Sequence, residues 1–134
     1  MTGENWGRVR DCMKPDVTEV DGRLDVLSAM KVMKKVGATS LIVKRRDEQD
    51  EYGLLLFSDI AKKVIGENRA PERVNVYEIM AKPVVTVRPD MHIRYCARLF
   101  ENFGIGHAPV EEDGKIIGMV SYYRLVLYGL PNLD

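Results

Sequence analysis

Apolar and polar positions follow two patterns along the chain, and both patterns occur twice in the same order. Leu24, Leu27, Met30, Met33 and Val36 stand three residues apart, with Val26 widening the stripe, which predicts an amphipathic helix over 24–36. Gly37 follows at once and suits a left-handed helix stop. Ser40 to Val43 reads as a strand. The run Gly53-Leu54-Leu55-Leu56-Phe57 then reads as a strand covered on both faces, leading straight into a helix over 59–65. Ser58 or Asp59 is placed to cap that helix, whose first turn leaves backbone N–H groups unpaired. Between the two strands, residues 44–51 are all polar and seven of the eight are charged. They read either as a recognition loop or as a solvated hairpin tip, and the usual surface position of such connections favours the tip. Upstream, 9–13 predicts a helical turn stopped by Pro15, and 17–20 a short strand. Met1 to Gly7 is polar and expected to fray, with Trp6 tucked against the body.

After a polar stretch containing Pro71, apolar residues over 74–80 restart the pattern. A strand is expected over 84–87. A helix follows over 91–103, with Ile93, Cys96, Ala97, Phe100 and Phe103 on one face and Gly104 as its stop. The segments 108–110 and 115–121 flank Asp113-Gly114, a strong hairpin dipeptide. A last helix over 122–130 ends before Pro131.

The second half therefore copies the first. Met13 and Met80 are 67 residues apart, as are Val17 and Val84, Gly37 and Gly104, and Val43 and Val110. Gly53 and Gly118 are 65 apart, so the first hairpin is two residues longer. A unit of roughly 60 residues buries a marginal core by itself. The expected fold is α+β, with two βαββα repeats packed sheet to sheet around a pseudo-twofold axis and two related clefts at the seam. In sequence order the copies run 8–66 and 75–130, with 67–74 as linker, and the two are expected to form one intertwined module.

Charge narrows the function. Lys plus Arg equals Asp plus Glu, 20 each, which gives no overall field for nucleic acid or an anionic membrane. No window approaches the ~20 apolar residues of a membrane span, and the N-terminus has no signal-peptide core. Cys12 and Cys96 belong to no C-x-x-C pair, which argues against zinc and for two reduced thiols in a cytoplasmic protein. There is no nucleophile–base pair, metal constellation or phosphate-cradling glycine loop, so no catalytic residue is assigned and an enzyme is not expected. His92, early in its helix, reads as solvated, and Met30 and Met33 as core filling.

The openings M-K-P-D-V and M-A-K-P-V-V-T-V-R-P-D, with the stretch G-I-G-H-A-P-V-E-E-D-G-K-I-I-G-M-V-S, resemble a tandem pair of cystathionine-β-synthase (CBS) domains, a Bateman module. The resemblance covers about Val9 to Leu130 and is closer in the second copy than in the first. It implies a regulatory module that binds an adenosine-containing ligand (AMP, ADP, ATP or S-adenosylmethionine) between the repeats. The alternative it also implies is a ligand-free dimerisation module. A homodimer through the helices and an unidentified protein target in trans belong to the same expectation.

In ligand-binding members an Asp three residues after a Ser or Thr receives the ribose hydroxyls, and a carboxylate suits that role because it accepts two donors at once. Asp59 stands at that position in the first copy, beside Ser58, at the end of the strand carrying Leu54. Leu56 replaces the hydroxyl residue. The second copy has the hydroxyl, Ser121, but Arg124 at the ribose position, and an arginine accepts no hydrogen bond. Arg124 is expected either to bind an anion or to fill its cleft by salt-bridging, leaving that cleft without ligand. For Asp59 the resemblance places Val84, Val85 and Thr86 with Ile105, Gly106, His107 and Ala108 on the opposing wall. Val85 and Ile105 would hold the base, and His107 would face a phosphate that favours its charged form. The plainer reading of Asp59 is a helix cap, and of His107 a surface histidine.

Overall fold

A computed structural model describes residues 3–131. It is α+β, as expected, with six α-helices and five strands among the described residues. The chain divides into two compact units, one of residues 18–84 and one formed by the segment up to Val17 together with Val85 onward.

The 18–84 unit holds β1 (Glu19–Val20), α2 (Val26–Val36), β2 (Ser40–Val43), β3 (Gly53–Leu56), α3 (Phe57–Ile60) and α4 (Val76–Ile79). Its sheet has the order β1-β2-β3, with β1 parallel to β2 and β3 antiparallel to it. Leu41, Val43 and Leu55 from the sheet pack with Val26, Ala29 and Met33 of α2 and with Val76 and Ile79 of α4. The stripe read from the sequence is only partly the buried face: Val26, Ala29 and Met33 face the core, Leu24 and Met30 pack at its edge, and Val36 is exposed. The helix starts at Val26, two residues later than expected. Asp25 is its N-cap, accepting from the Ser28 backbone N–H at 2.9 Å and from Ser28 Oγ at 2.7 Å. Gly37 ends it at φ +70°, the left-handed stop that the sequence calls for.

The other unit holds α1 (Val9–Cys12), α5 (Ile93–Phe103), β4 (His107–Glu112), β5 (Lys115–Ser121) and α6 (Tyr122–Tyr128). Its β4–β5 hairpin turns at Asp113 (φ +53°) and Gly114 (φ +77°), the paired positive φ angles of a two-residue hairpin turn. Phe100, Cys96 and Ile93 of α5 pack on Ala108, Val110 and Val120 of that hairpin and on Val9 and Cys12 of α1.

The compact units are not the sequence copies 8–66 and 75–130. Each copy's opening segment is buried in the core built by the rest of the other copy: Val9 and Cys12 with 85–131, Val74, Val76 and Ile79 with 18–66. The stretch 67–74 is correspondingly more than a linker. It contains a 3-10 turn over Pro71–Arg73 and ends in buried Val74.

Four further expectations change. The strand over 84–87 shrinks to a single parallel bridge from Val87 to Val110, held by Val87 N–H to Pro109 O and Glu111 N–H to Val87 O. The N-terminal segment is held rather than frayed from Gly3 on, Met1 and Thr2 lying outside the described residues. Gly3–Asn5 forms a 3-10 turn, and the Gly7 N–H donates to Gly129 O at 2.9 Å. His92 is not merely solvated. It caps α5, its Nδ1 accepting from the Arg94 N–H, which leaves Nε2 to donate to Gly3 O at 2.9 Å. The charged hairpin of residues 44–51 is mostly exposed, but Asp50 is folded in, its side chain 8% exposed and bound by Arg46 and Lys82. Those two cations hold its carboxyl far below the usual carboxylate range.

Candidate functional site

Both candidate junctions are places where a strand becomes a helix without a connecting loop. In the 18–84 unit the helix begins at Phe57, so neither Ser58 nor Asp59 is the N-cap. That position belongs to Leu56, which has no side-chain oxygen to offer. Asp59 lies three residues on and reaches back, its Oδ2 accepting from the Leu56 N–H at 3.1 Å. This is the acidic half of a capping box, without its hydroxyl half. Oδ1 lies 3.9 Å from Lys63 Nζ, one helical turn further, and the carboxylate keeps 20% of its surface open. Lys63 also donates to Ile79 O at 3.1 Å. Beyond Ile60 the helix widens into a π-helical turn over Ala61–Ile65, a local form often found beside functional sites.

Around Asp59, Ser58 is half-buried, and the Phe57 N–H is taken by Thr39 O at 3.0 Å. Leu54 is buried, and its backbone N–H and C=O are both paired with Ala81 at 2.9 Å. A role for Leu54 would therefore be support of the strand rather than an open hydrogen-bonding surface. Val84 ends this unit and is half-buried.

In the other unit the hydroxyl is present and used. Ser121 is the N-cap of α6, its Oγ accepting from the Arg124 N–H at 3.2 Å. The Arg124 side chain turns to the end of α1. Its Nε donates to Cys12 O at 2.8 Å and its Nη2 to Met13 O at 3.3 Å, and the guanidinium lies 4.1 Å over the Tyr128 ring. A cation at carbonyls that a helix end leaves unpaired is favourable, and the aromatic face adds a second attraction. The expectation of a salt bridge is thereby corrected: main-chain carbonyls and a ring hold Arg124, and no carboxylate pairs with it among the described residues.

Val85, Thr86, Ile105, Gly106, His107 and Ala108 all belong to this second unit. Within it, four of them lie beside the Ser121 junction. His107 is the register partner of Ser121, the Gly106 carbonyl accepts from the Tyr122 N–H at 3.2 Å, Ile105 packs on the core, and Ala108 is fully buried. Burial pushes the His107 pKa below its ordinary value, so the fold by itself favours the neutral ring, opposite to the charged form expected beside a phosphate. Cys12 and Cys96 are both buried, and burial raises their thiols to about 11 and about 12. No grouping of His, Cys, Asp or Glu suited to a metal occurs among the described residues, and no helix there is long and apolar enough to cross a membrane.

Two features escaped the sequence reading. Lys63 beside Asp59 had a visible signal, the i,i+4 spacing of opposite charges. The Asp50–Lys82 pair, 32 residues apart, had none.

A duplicated α+β unit with an acid at one strand–helix junction and a tied-off arginine at the other defines a paired-repeat module. The CBS domain family model matches residues 76–130. A hexameric CBS-CP12 protein from bloom-forming cyanobacteria is 37% identical, with a TM-score of 0.86, over 89% of this chain and 69% of that one. The homoserine O-acetyltransferase of Methanosalsum zhilinae is 36% identical over 113 residues, 84% of this chain and 22% of that protein. The CBS domain pair of protein MJ0100, solved with 5′-methylthioadenosine and S-adenosyl-L-methionine, shares the fold at 22% identity and a TM-score of 0.76, over 90% of this chain and 94% of that one. This chain belongs to the CBS domain family and is a tandem pair, a Bateman module. It spans less than half the length of the first curated relatives it matches.

Proposed function

We propose that this module is regulatory and binds one adenosine-containing ligand through Asp59, with the Arg124 junction leaving no second ribose site. The observation that carries the reading is the unequal use of the two junctions. Asp59 accepts one backbone N–H and remains part-exposed, so its carboxylate has acceptor capacity left for ribose hydroxyls. Arg124 is a donor already committed to Cys12 O and Met13 O. The ligands of the MJ0100 pair supply the probes. Residues 84–86 and 105–108 remain the candidates for the base and phosphate.

The test is titration of the folded chain with AMP, ADP, ATP, S-adenosylmethionine and 5′-methylthioadenosine by calorimetry and thermal shift. At a hundred times its dissociation constant a ligand should add about 2.7 kcal/mol of stability. Asp59→Ala should lose that response and keep the fold, while Arg124→Ala keeps the response. Silence from all five at millimolar concentration would remove the reading.

Exposed apolar side chains favour a second activity, self-association. Tyr123, Val126 and Tyr128 on α6 and Phe57 and Ile65 in the 18–84 unit are each more than half exposed. The hexameric relative is an assembly of the same kind of module.

A further inference from the structure

Each unit closes on an opening helix of four residues, whose last carbonyl has no helical N–H to bond, and each unit supplies a cation to it. The two cations come from different positions. In the unit that carries Arg124 the carbonyl is Cys12 O, at the end of α1, and the donor is Arg124 Nε at 2.8 Å. In the 18–84 unit the equivalent carbonyl, 67 residues further on, is Ile79 O at the end of α4. Its donor is Lys63 Nζ at 3.1 Å. The offset of 65 aligns Arg124 with Asp59 and Tyr128 with Lys63. The cation thus stands at the ribose position in one unit and four residues further along in the other. Where Lys63 holds the carbonyl, the ribose position carries an acid. Where Arg124 holds it, the position four residues on carries the ring over which the guanidinium lies.

Lys63 also has the Asp59 carboxylate as a neighbour. Oδ1 lies 3.9 Å from its Nζ, beyond hydrogen-bond range but close enough for direct attraction. One ammonium therefore stands between the acid assigned to ribose and the end of α4. From Ile79 the chain runs on through two more ties in the same unit. Ala81 exchanges both backbone hydrogen bonds with Leu54 at 2.9 Å, and Lys82 Nζ donates to Asp50 at 2.8 Å. Val84, the first residue assigned to the base, follows two positions later. Of these three ties, that of Lys63 is the one that also reaches Asp59. It fixes where the acid stands relative to the segment that leads to Val84.

We propose that Lys63 is a positioning residue of the adenosine site: it sets the Asp59 carboxylate against the end of α4, and acts on the ligand through Asp59 rather than by contact with a phosphate. This role rests on the ribose site proposed above and adds the residue that holds its acid in place. The ammonium already faces a carbonyl and a carboxylate, which suits a brace between two parts of the site.

The test is calorimetric titration of the full chain with probes that lack phosphate, 5′-methylthioadenosine and S-adenosylmethionine, and with AMP, ADP and ATP, which carry it. Lys63→Met keeps the alkyl stem and removes the charge, Lys63→Arg keeps the charge, and circular dichroism confirms that each variant is folded. Lys63→Met should weaken every probe that the wild type binds, with or without phosphate, about fivefold or more, and Lys63→Arg should stay within about threefold of wild type. In a double-mutant cycle with Asp59→Asn the two losses should be less than additive, because Lys63 works through Asp59. Losses confined to phosphate-bearing probes would make Lys63 a phosphate contact and overturn the positioning role. So would strictly additive losses, or a Lys63→Met variant that binds like the wild type. A wild type silent to all five probes removes the ribose site itself, and Lys63's role falls with it. That result is distinct from a binding wild type indifferent to Lys63→Met. The exchange of cations is read without any ligand. Arg124→Asp should lower the urea midpoint, and adding Tyr128→Lys should recover most of that loss, since a lysine at 128 would stand to Cys12 O as Lys63 stands to Ile79 O. If Tyr128→Lys recovers nothing, the two junctions do not exchange roles in this way.

Discussion

At the end of β3 the helix N-cap is Leu56, and at the end of β5 it is Ser121. The first junction lacks a capping oxygen, and the acid three residues along accepts from the N-cap's own N–H instead, leaving the first-turn donors without a side-chain cap. The second has its oxygen, and the residue at the acid's position bonds elsewhere, to the end of α1. Duplication thus gives two versions of one backbone turn, and a single side chain decides whether the turn presents an acceptor to solvent or ties a neighbouring segment down. Asp59 accepts one backbone N–H and stays part-exposed, whereas Arg124 is held by two main-chain carbonyls and a ring.

The largest expected effect separates the two units rather than the two junctions. Both cysteines lie in the unit that carries Arg124, buried with raised thiols. A thiol reagent such as 5,5′-dithiobis(2-nitrobenzoate) should label the native chain about a thousandfold or more slowly than the urea-unfolded chain, because labelling waits on opening of that unit. Fast labelling of native protein would show that the α1 segment opens on its own. The same thiols set a pH window. An unfolded thiol ionises near ~8.5. Since the folded values are raised, their contribution is complete below that pH and is lost as pH rises through about 11 and about 12. Urea midpoints measured from pH 7 to 11 should therefore fall at the alkaline end.

Arg124→Ala comes next. It removes two charged hydrogen bonds to main-chain carbonyls and the contact with Tyr128, and should cost about 1.5–3 kcal/mol in urea unfolding. A loss below about 0.5 kcal/mol would mean that water replaces the side chain without penalty. Ser121→Ala should cost about 1 kcal/mol as the loss of an N-cap. Asp59→Ala should cost the least, about 0.5 kcal/mol, as half of a capping box on a four-residue helix. If Asp59→Ala proved as costly as Arg124→Ala, the contrast between a spare acceptor and a committed donor would collapse.

Much of this was legible in the chain because it is local. The helix around Met33, the stops at Gly37 and Gly104, and the Asp113-Gly114 turn each act over a few residues and appear where the sequence places them, although the buried face of that helix is Val26, Ala29 and Met33. The asymmetry of Asp59 and Arg124 followed from aligning the two copies. What was missed is either long-range or hidden by an unexpected residue. Nothing near Val9 says that its core is made by residues after 85, and nothing near Asp50 says that Lys82 will meet it. The helix start at Phe57 was misread because Leu56, an apolar residue, occupies a position where a hydroxyl or acid is the usual signal. His92 was misread as solvated because an imidazole is a rare cap, and its partner Gly3 is 89 residues away.

The exchange of opening segments also sets an order in time. The 18–84 unit is contiguous and has its whole core once Val84 has been made. The segment up to Val17 is made before that unit, yet the residues that bury Val9 and Cys12 come from Val85 onward. At roughly 5–20 residues per second, the 50 residues of 85–134 take about 3–10 seconds to synthesise. For those seconds the apolar side chains of the segment up to Val17 have no core to enter, although the 18–84 unit, made after them, has already closed.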